Sequence, residues 1–203
     1  MKSIMTSVSP YLCEKITNGQ CKMLVRKSAP KETPFKAYIY CCKDNAKEIV
    51  LLKDYKNRFS FGDYRKADGH FYGVVIGEFI CDKVEVLFNT NGNPENYMTD
   101  ILPTVLQKTA LSFKEFQDYV GSRSDKNNIY GWHISDLKIY DKPKELSEFK
   151  TPPCEKPEKA CGNCQYRVVI NTPDMYEVDC FVANGREISR PPRSYMYVEE
   201  ILL

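Results

Sequence analysis

The sequence predicts a small, partly closed β-barrel, mainly β, with one or two helices packed on it. Runs rich in β-branched and aromatic residues recur along the whole chain. Helix-start signatures are few. The first and last apolar runs both read as strands, and pairing between them would close the sheet non-locally.

Residues 4 to 8 form the first predicted strand. Ser9 and Pro10 then start a helix, Ser as N-cap and Pro at the first helical position. Gly19 is placed to end it as a left-handed C-terminal residue. "MLVRK" leaves that cap as a strand carrying Arg26 and Lys27. "AYIYCC", residues 37 to 42, reads as a buried strand, with "IVLL", 49 to 52, as a partner. "FYGVVIGEFICDKVEVLF", 71 to 88, is too long for one straight strand, so Gly73 or Gly77 is expected to mark a bend. "NTNGNPENY", 89 to 97, reads as a loop.

Ser112 and Glu115 have capping-box spacing ahead of "FKEFQDYV", which predicts a helix over 113 to 120 that stops at Gly121. "IYGWHISDLKIYD", 129 to 141, is a second strong strand region. Pro143 is expected to start a short helix through "PKELSEF". "QYRVVI" and "YEVDCFV" read as a hairpin, and a strand follows the Pro-rich turn at 190 to 192. The whole, residues 1 to 203, reads as one domain with a Cys-rich insertion over 151 to 189.

Composition narrows the setting. No run approaches the roughly 18 apolar residues of a membrane span, and no signal peptide is apparent, so a cytoplasmic protein is expected. Nine cysteines, an odd number, argue for reduced thiols or a metal site over a secreted disulfide framework. Residues 1 to 58 hold 12 Lys or Arg against 5 Asp or Glu, while the rest holds 17 against 22. Such a basic half favours a polyanion such as RNA, unless it is only a solvated face. P-loop, dinucleotide-glycine, G-x-S-x-G and calcium-loop patterns are absent from the sequence.

Cys154, Cys161, Cys164 and Cys180 form the candidate metal set, since "CGNC" has zinc-knuckle spacing in a region with little apolar core of its own. The reading is a structural zinc. A redox role fits less well, because "QYRVVI" after the motif is strand-like and offers no helix N-terminus to activate a thiolate. Cys13, Cys21, Cys41, Cys42 and Cys81 read as small buried hydrophobes.

A strand, "SPYLCEKITNG", "VRKSAPK", "FKAYIYCC", "GVVIGEFICDKV", "YGWHISDLKIYDKPKELSEF" and "RPPRSYMYVEE", in that order, resemble the ASCH domain family, whose fold is PUA-like. The long "YGWHISDLKIYDKPKELSEF" block resembles a bacterial and phage-associated subgroup. The match covers most of residues 1 to 150 and 190 to 200. It implies a β-barrel with a ligand groove beside the first helix. It also implies RNA binding, or, as in some relatives, amidohydrolase action on acetylated cytidine or ribonuclease activity.

The family reads Gly-x-Lys-Thr-x-(Glu or Thr)-x-Arg after that helix. Here Gly19 and Arg26 match, but the family Lys position is Cys21 and that of the Glu or second Thr is Leu24. Leucine can neither move a proton nor attack. The expected function is therefore binding of RNA or a nucleotide-like small molecule. Arg26, Lys22, Lys27, Ser9, Glu78 and Trp132 are the candidate ligand residues. Arg26 supplies a planar fork for phosphate or a base edge, or else is a rim ion pair. Trp132 stacks a base or packs in the core, and strand alternation sends His133 to the other face. Glu78 either enters the groove or partners Arg26. Two rivals remain. One is a hydrolase using Lys22, Cys21, Glu78 or His133. The other is a protein-interaction module on the Cys-rich insert.

Overall fold

The computed structural model describes residues 1–42, 50–51, 70–71, 73–88, 102–120, 128–153, 167–172, 175–180 and 185–201. Two sheets share one apolar interior. The larger has five strands, with the first and last strands of the chain side by side, and the smaller has three.

β1 (Lys2–Val8) lies parallel to β3 (Phe35–Cys41) and antiparallel to β12 (Tyr195–Val198), with Ile4 opposite Ala37 on one side and Tyr197 on the other. The first and last strands therefore do pair. β6 (Val74–Cys81) pairs antiparallel with β3 and with β9 (Ser135–Lys144). Register shifts occur at Ile39/Tyr40 and on both sides of Gly77. A Cβ at Gly77 would overlap the Lys138 carbonyl oxygen, so only glycine lets β9 approach there. The second sheet joins β2 (Met23–Arg26), β8 (Ile129–His133) and β7 (Val84–Phe88).

α1 (Pro10–Thr17) begins as its sequence requires: Ser9 is extended and its hydroxyl accepts from the Leu12 N–H at 3.4 Å. Gly19, at φ 71°, turns the chain out of the helix into β2. α2 (Leu102–Thr109) and α3 (Phe113–Val120) follow β7. The capping box of α3 is complete: Ser112 N–H reaches Glu115 at 2.7 Å and Glu115 N–H reaches Ser112 at 3.2 Å.

Alternation along the strands builds three apolar layers. Ile4, Val8, Leu24, Phe35, Phe79 and Trp132 fill the space between the sheets, with Cys13 and Ile16 of α1. Met5, Tyr38, Tyr40, Tyr140, Phe149 and Val198 cover the opposite face of the larger sheet. Met23, Val25, Leu87 and Ile129 meet Leu102, Val105 and Phe116 of α2 and α3. Each sheet is thus covered on both faces, which explains strands apolar on both sides.

Several elements differ from expectation. Among the described residues, β4 (Val50–Leu51) pairs with β5 (His70–Phe71) and not with β3; Ile49 and Leu52 of the predicted strand lie outside them. The 129 to 141 region is two strands in different sheets, β8 and β9, divided at Ile134. Pro143 starts no helix. It stays in β9, an edge strand where a missing N–H is tolerated, and only a 3₁₀ turn (Leu146–Glu148) follows. α2 occupies a stretch where the sequence analysis predicts no element.

β10 (Arg167–Thr172) and β11 (Met175–Cys180) form an antiparallel hairpin, with Arg167 opposite Cys180. The chain on either side of this region is clasped. Thr151 N–H donates to Arg186 O at 2.8 Å and Ile188 N–H to Phe149 O at 3.0 Å. Cys154, Cys161 and Cys164 lie outside the described residues, as do Gly121 and the 89 to 97 segment. Among the described residues, no helix is long and apolar enough to cross a membrane.

Candidate functional site

A groove of about 190 Å³ opens between α1, β2 and the α2–α3 pair. Ser9, Tyr11 and Leu12 come from α1, Met23 and Val25 from β2, and Thr109, Leu111, Glu115 and Tyr119 from α2 and α3, with Cys21 and Leu24 at the base. The helix turn brings Tyr11 and Leu12 to this side, while β2 alternation presents Met23 and Val25.

Each wall holds a tyrosine with an ammonium over its ring. Lys15 Nζ lies 4.1 Å from the Tyr11 ring centre and Lys27 Nζ lies 4.9 Å from that of Tyr119. Lys15 also donates to Ala110 O at 2.5 Å, tying α1 to the α2–α3 turn. Glu115 is the groove's carboxylate. The Ser112 backbone N–H and hydroxyl, then Tyr11 and Lys15, hold its pKa below the usual carboxylate range, so it stays charged.

Arg26 faces away from the groove. It follows Leu24 by two residues and shares that inward face of β2. Only 6% exposed, it donates from Nε to Thr6 Oγ1 at 3.2 Å, from one terminal nitrogen to Val25 O at 3.1 Å, and from the other to Ser7 O at 2.9 Å. Among the described residues it has no carboxylate partner. Lys27, one residue on, falls on the groove side with Val25.

The other predicted residues are dispersed. Trp132 is fully buried, edge-on to Phe35 at 5.3 Å and Tyr195 at 5.5 Å, so its ring faces are taken by the core. Lys22 is exposed at the chain's entry to β2, where its N–H donates to Lys108 O at 2.7 Å. Ser9 lines the groove but its hydroxyl is engaged in capping.

Glu78 lies on the opposite face of the larger sheet from Arg26. Tyr140 donates to it at 2.6 Å and Lys36 stands 3.7 Å away. Lys36 also bonds Glu200 at 2.5 Å. His133 is on the smaller sheet, with Nε2 3.0 Å from Glu85. Glu78 and His133 therefore do not converge with Cys21 and Lys22 on one reacting centre.

Cys21 carries no activated thiolate. Burial pushes its thiol up to about 11, and the thiol donates to Met23 O at 3.3 Å. Leu24 is buried among apolar groups. Of the metal set, only the backbone of Cys180 is described, and no group of three or more His, Cys, Asp or Glu converges among the described residues. Tyr11, Lys15 and Tyr119 were not singled out from sequence. The helical spacing that puts Tyr11 and Lys15 on one face of α1 was the available signal.

A second cavity, of about 690 Å³, lies on the other side of the β1–α1 junction. Ser7, Tyr40, Cys42 and Gly73 form one side, and Glu145, Leu146, Ser147, Ser189, Pro191, Pro192 and Arg193 the other.

No family model matches the sequence, and no curated protein does. Solved structures do match. ASCH from Zymomonas mobilis superposes with a TM-score of 0.50 at 12% identity, covering 98% of this chain and 89% of that one. A point mutant of the same Zymomonas protein gives the same values, TM-score 0.50 and 12% identity over 98% and 89%. The likeness is one of fold.

Proposed function

From an ASCH-type, PUA-like fold, we propose that this chain binds RNA through the groove beside α1, taking one unstacked base between Tyr11 and Tyr119. The observation that carries this is the paired arrangement of two tyrosines, each with a lysine at its ring. Aromatic faces stack bases and ammonium groups meet phosphates, and the combination is the usual chemistry of single-stranded nucleic-acid binding. At about 190 Å³ the groove is smaller than the roughly 300–1,000 Å³ of most ligand pockets, so it suits one base and not a large cofactor. The surplus of Lys and Arg over residues 1 to 58 has the matching sign.

Hydrolysis has weaker support. The Cys21 thiol is held neutral by burial and Leu24 is inert. Glu115 is a charged carboxylate with a lowered pKa, which makes it a poor general base near neutrality.

Titration of labelled single-stranded and hairpin RNA at two salt concentrations tests the proposal. Wild type is expected to bind with salt-sensitive affinity. Tyr119→Ala is expected to lose about 1–3 kcal/mol, the worth of one stacked base. Equal binding by wild type and Tyr119→Ala would remove the groove as the site. No binding of either RNA would remove the function.

A further inference from the structure

We propose that the cavity of about 690 Å³ is a separate ligand site that takes a small aromatic carboxylate, with the acid held by Arg193 and a polar substituent of the ring held by Tyr40. This goes beyond the RNA reading and does not rest on it. Tyr40 belongs to the apolar layer on the outer face of the larger sheet, whereas Met23 and Val25 of the groove belong to the layer beyond the smaller sheet.

The Tyr40 hydroxyl is what calls for a ligand. Three other tyrosines of the larger sheet have tied hydroxyls. Tyr38 accepts from Ile201 N–H at 2.9 Å, Tyr140 donates to Glu78 at 2.6 Å, and Tyr195 donates to Ala29 O at 3.0 Å. Tyr40 is only 3% exposed, yet its hydroxyl makes no hydrogen bond among the described residues. It is not one of their sealed polar atoms either, so it opens on the cavity that Tyr40 lines. Buried polar groups normally have partners, and here the open space supplies the place for one. Burial, then Cys42, Cys41 and the Glu145 charge, raise the Tyr40 pKa, so the hydroxyl keeps its proton and can donate.

Charge selects the class of ligand. The lining holds one cation, Arg193, and one carboxylate, Glu145. Glu145 is engaged in a reciprocal capping box with Glu148, whose carboxylate accepts the Glu145 N–H at 2.7 Å. Its charge nevertheless balances that of Arg193, so a dianion such as a phosphate monoester would be undercompensated. A monoanion is the better match. Arg193 is exposed and forms no ion pair among the described residues, and its planar fork fits a carboxylate through two parallel bonds.

The body of the ligand follows from the walls. Leu146, Pro191, Pro192 and the Tyr40 ring present apolar surface between the polar groups, which suits a flat ring. The volume lies inside the roughly 300–1,000 Å³ range of ligand pockets. The wall is also built in advance. Ser7 Oγ donates to Pro192 O at 2.6 Å and Thr6 Oγ1 to Ser194 O at 3.0 Å, which pins the segment bearing Arg193 to β1. Pro191 and Pro192 have fixed φ angles, so little ordering is required on binding.

Calorimetry with benzoate, para-hydroxybenzoate and phenyl phosphate tests the inference, using wild type, Tyr40→Phe and Arg193→Ala. Both variants are expected to keep the wild-type melting, since neither side chain is hydrogen-bonded or ion-paired within the described protein. Wild type is expected to bind para-hydroxybenzoate roughly 2- to 10-fold tighter than benzoate, the worth of one neutral hydrogen bond. Tyr40→Phe should erase that difference and leave benzoate affinity unchanged. Arg193→Ala should weaken both carboxylates about fivefold, a modest loss because the guanidinium is exposed. Phenyl phosphate binding tighter than benzoate would overturn the carboxylate assignment. Para-hydroxybenzoate binding no tighter than benzoate, or a gain kept in Tyr40→Phe, would overturn the role of Tyr40. Carboxylate binding unchanged in both variants, or absent in wild type, would overturn the site. A marked fall in melting for Tyr40→Phe would show that the hydroxyl already has a partner in the protein, and would overturn it equally.

Discussion

The Arg26 guanidinium carbon lies 5.7 Å from the centre of the Trp132 ring, and both side chains are buried. The pair presents a surplus of donors. Trp132 Nε1–H has no described acceptor, and the guanidinium is satisfied by a hydroxyl and two carbonyls without a carboxylate. Its charge is offset by the indole face and by oriented dipoles.

Arg26 is accordingly expected to act on stability. Arg26→Ala would leave Thr6 Oγ1 and the Ser7 carbonyl without their donors, at a cost of about 1–3 kcal/mol per group. Arg26→Lys should recover little, since an ammonium has no fork and no planar face for the indole. Urea unfolding of the three proteins measures this. An alanine variant as stable as wild type would show that these bonds contribute nothing.

Acid sensitivity should be traceable to Glu85 on β7. The Lys83 hydrogen bond, then the His133 and Lys108 charges, lower its pKa below the usual value. A depressed folded pKa means that the stabilisation is present above the unfolded glutamate value, near 4.3, and is lost as pH falls through the folded value. Glu85→Gln should therefore flatten the stability profile below about pH 4.3 and leave its shape near neutrality unchanged. Stability profiles that run parallel throughout the acid range would refute this.

Thiol reactivity should sort by burial. Cys21 and Cys81 are pushed up to about 11 and about 12 by burial, and Cys13 is raised well above its ordinary value for the same cause. These three are expected to stay unalkylated by iodoacetamide in the native protein at pH 8, and to react once unfolded. Peptide mass spectrometry reads the outcome. Rapid native labelling of Cys21 would restore it as a candidate nucleophile.

The four-cysteine reading of Cys154, Cys161, Cys164 and Cys180 calls for one zinc per chain. Metal analysis of the purified protein, followed by chelation and limited proteolysis of the 151 to 189 region, checks it. A metal-free protein whose proteolysis is unchanged by added zinc would remove the site.

What the sequence disclosed was mostly local chemistry. Ser9, Pro10 and Gly19 bound α1 because caps and left-handed turns depend on a few neighbouring residues. Ser112 and Glu115 marked α3 for the same reason. The partner of β4 was not legible, since two apolar residues carry no register information about paired positions 19 and 21 residues away. α2 had a readable signal in Pro103 near its start and in Leu102, Val105 and Thr109 at helical spacing, but it follows a turn-rich stretch. The groove was harder still. Tyr11 and Tyr119 line one groove only through the α1–β2–α3 packing, and Arg26 is turned from that groove by the same two-residue period that sends Lys27 toward it.

The seam between β1 and β12 bears on synthesis of the chain. Thr6 and Ser194, bonded across it, are 188 residues apart. At about 5–20 residues per second, β1 waits roughly 10–40 s on the ribosome for β12. During that interval β1 can already lie against β3, yet its other edge, with Ile4, Met5 and Val8, stays open. Nascent chains stalled before Tyr195 are thus the form in which this protein would be most exposed to edge-to-edge association and to capture by chaperones.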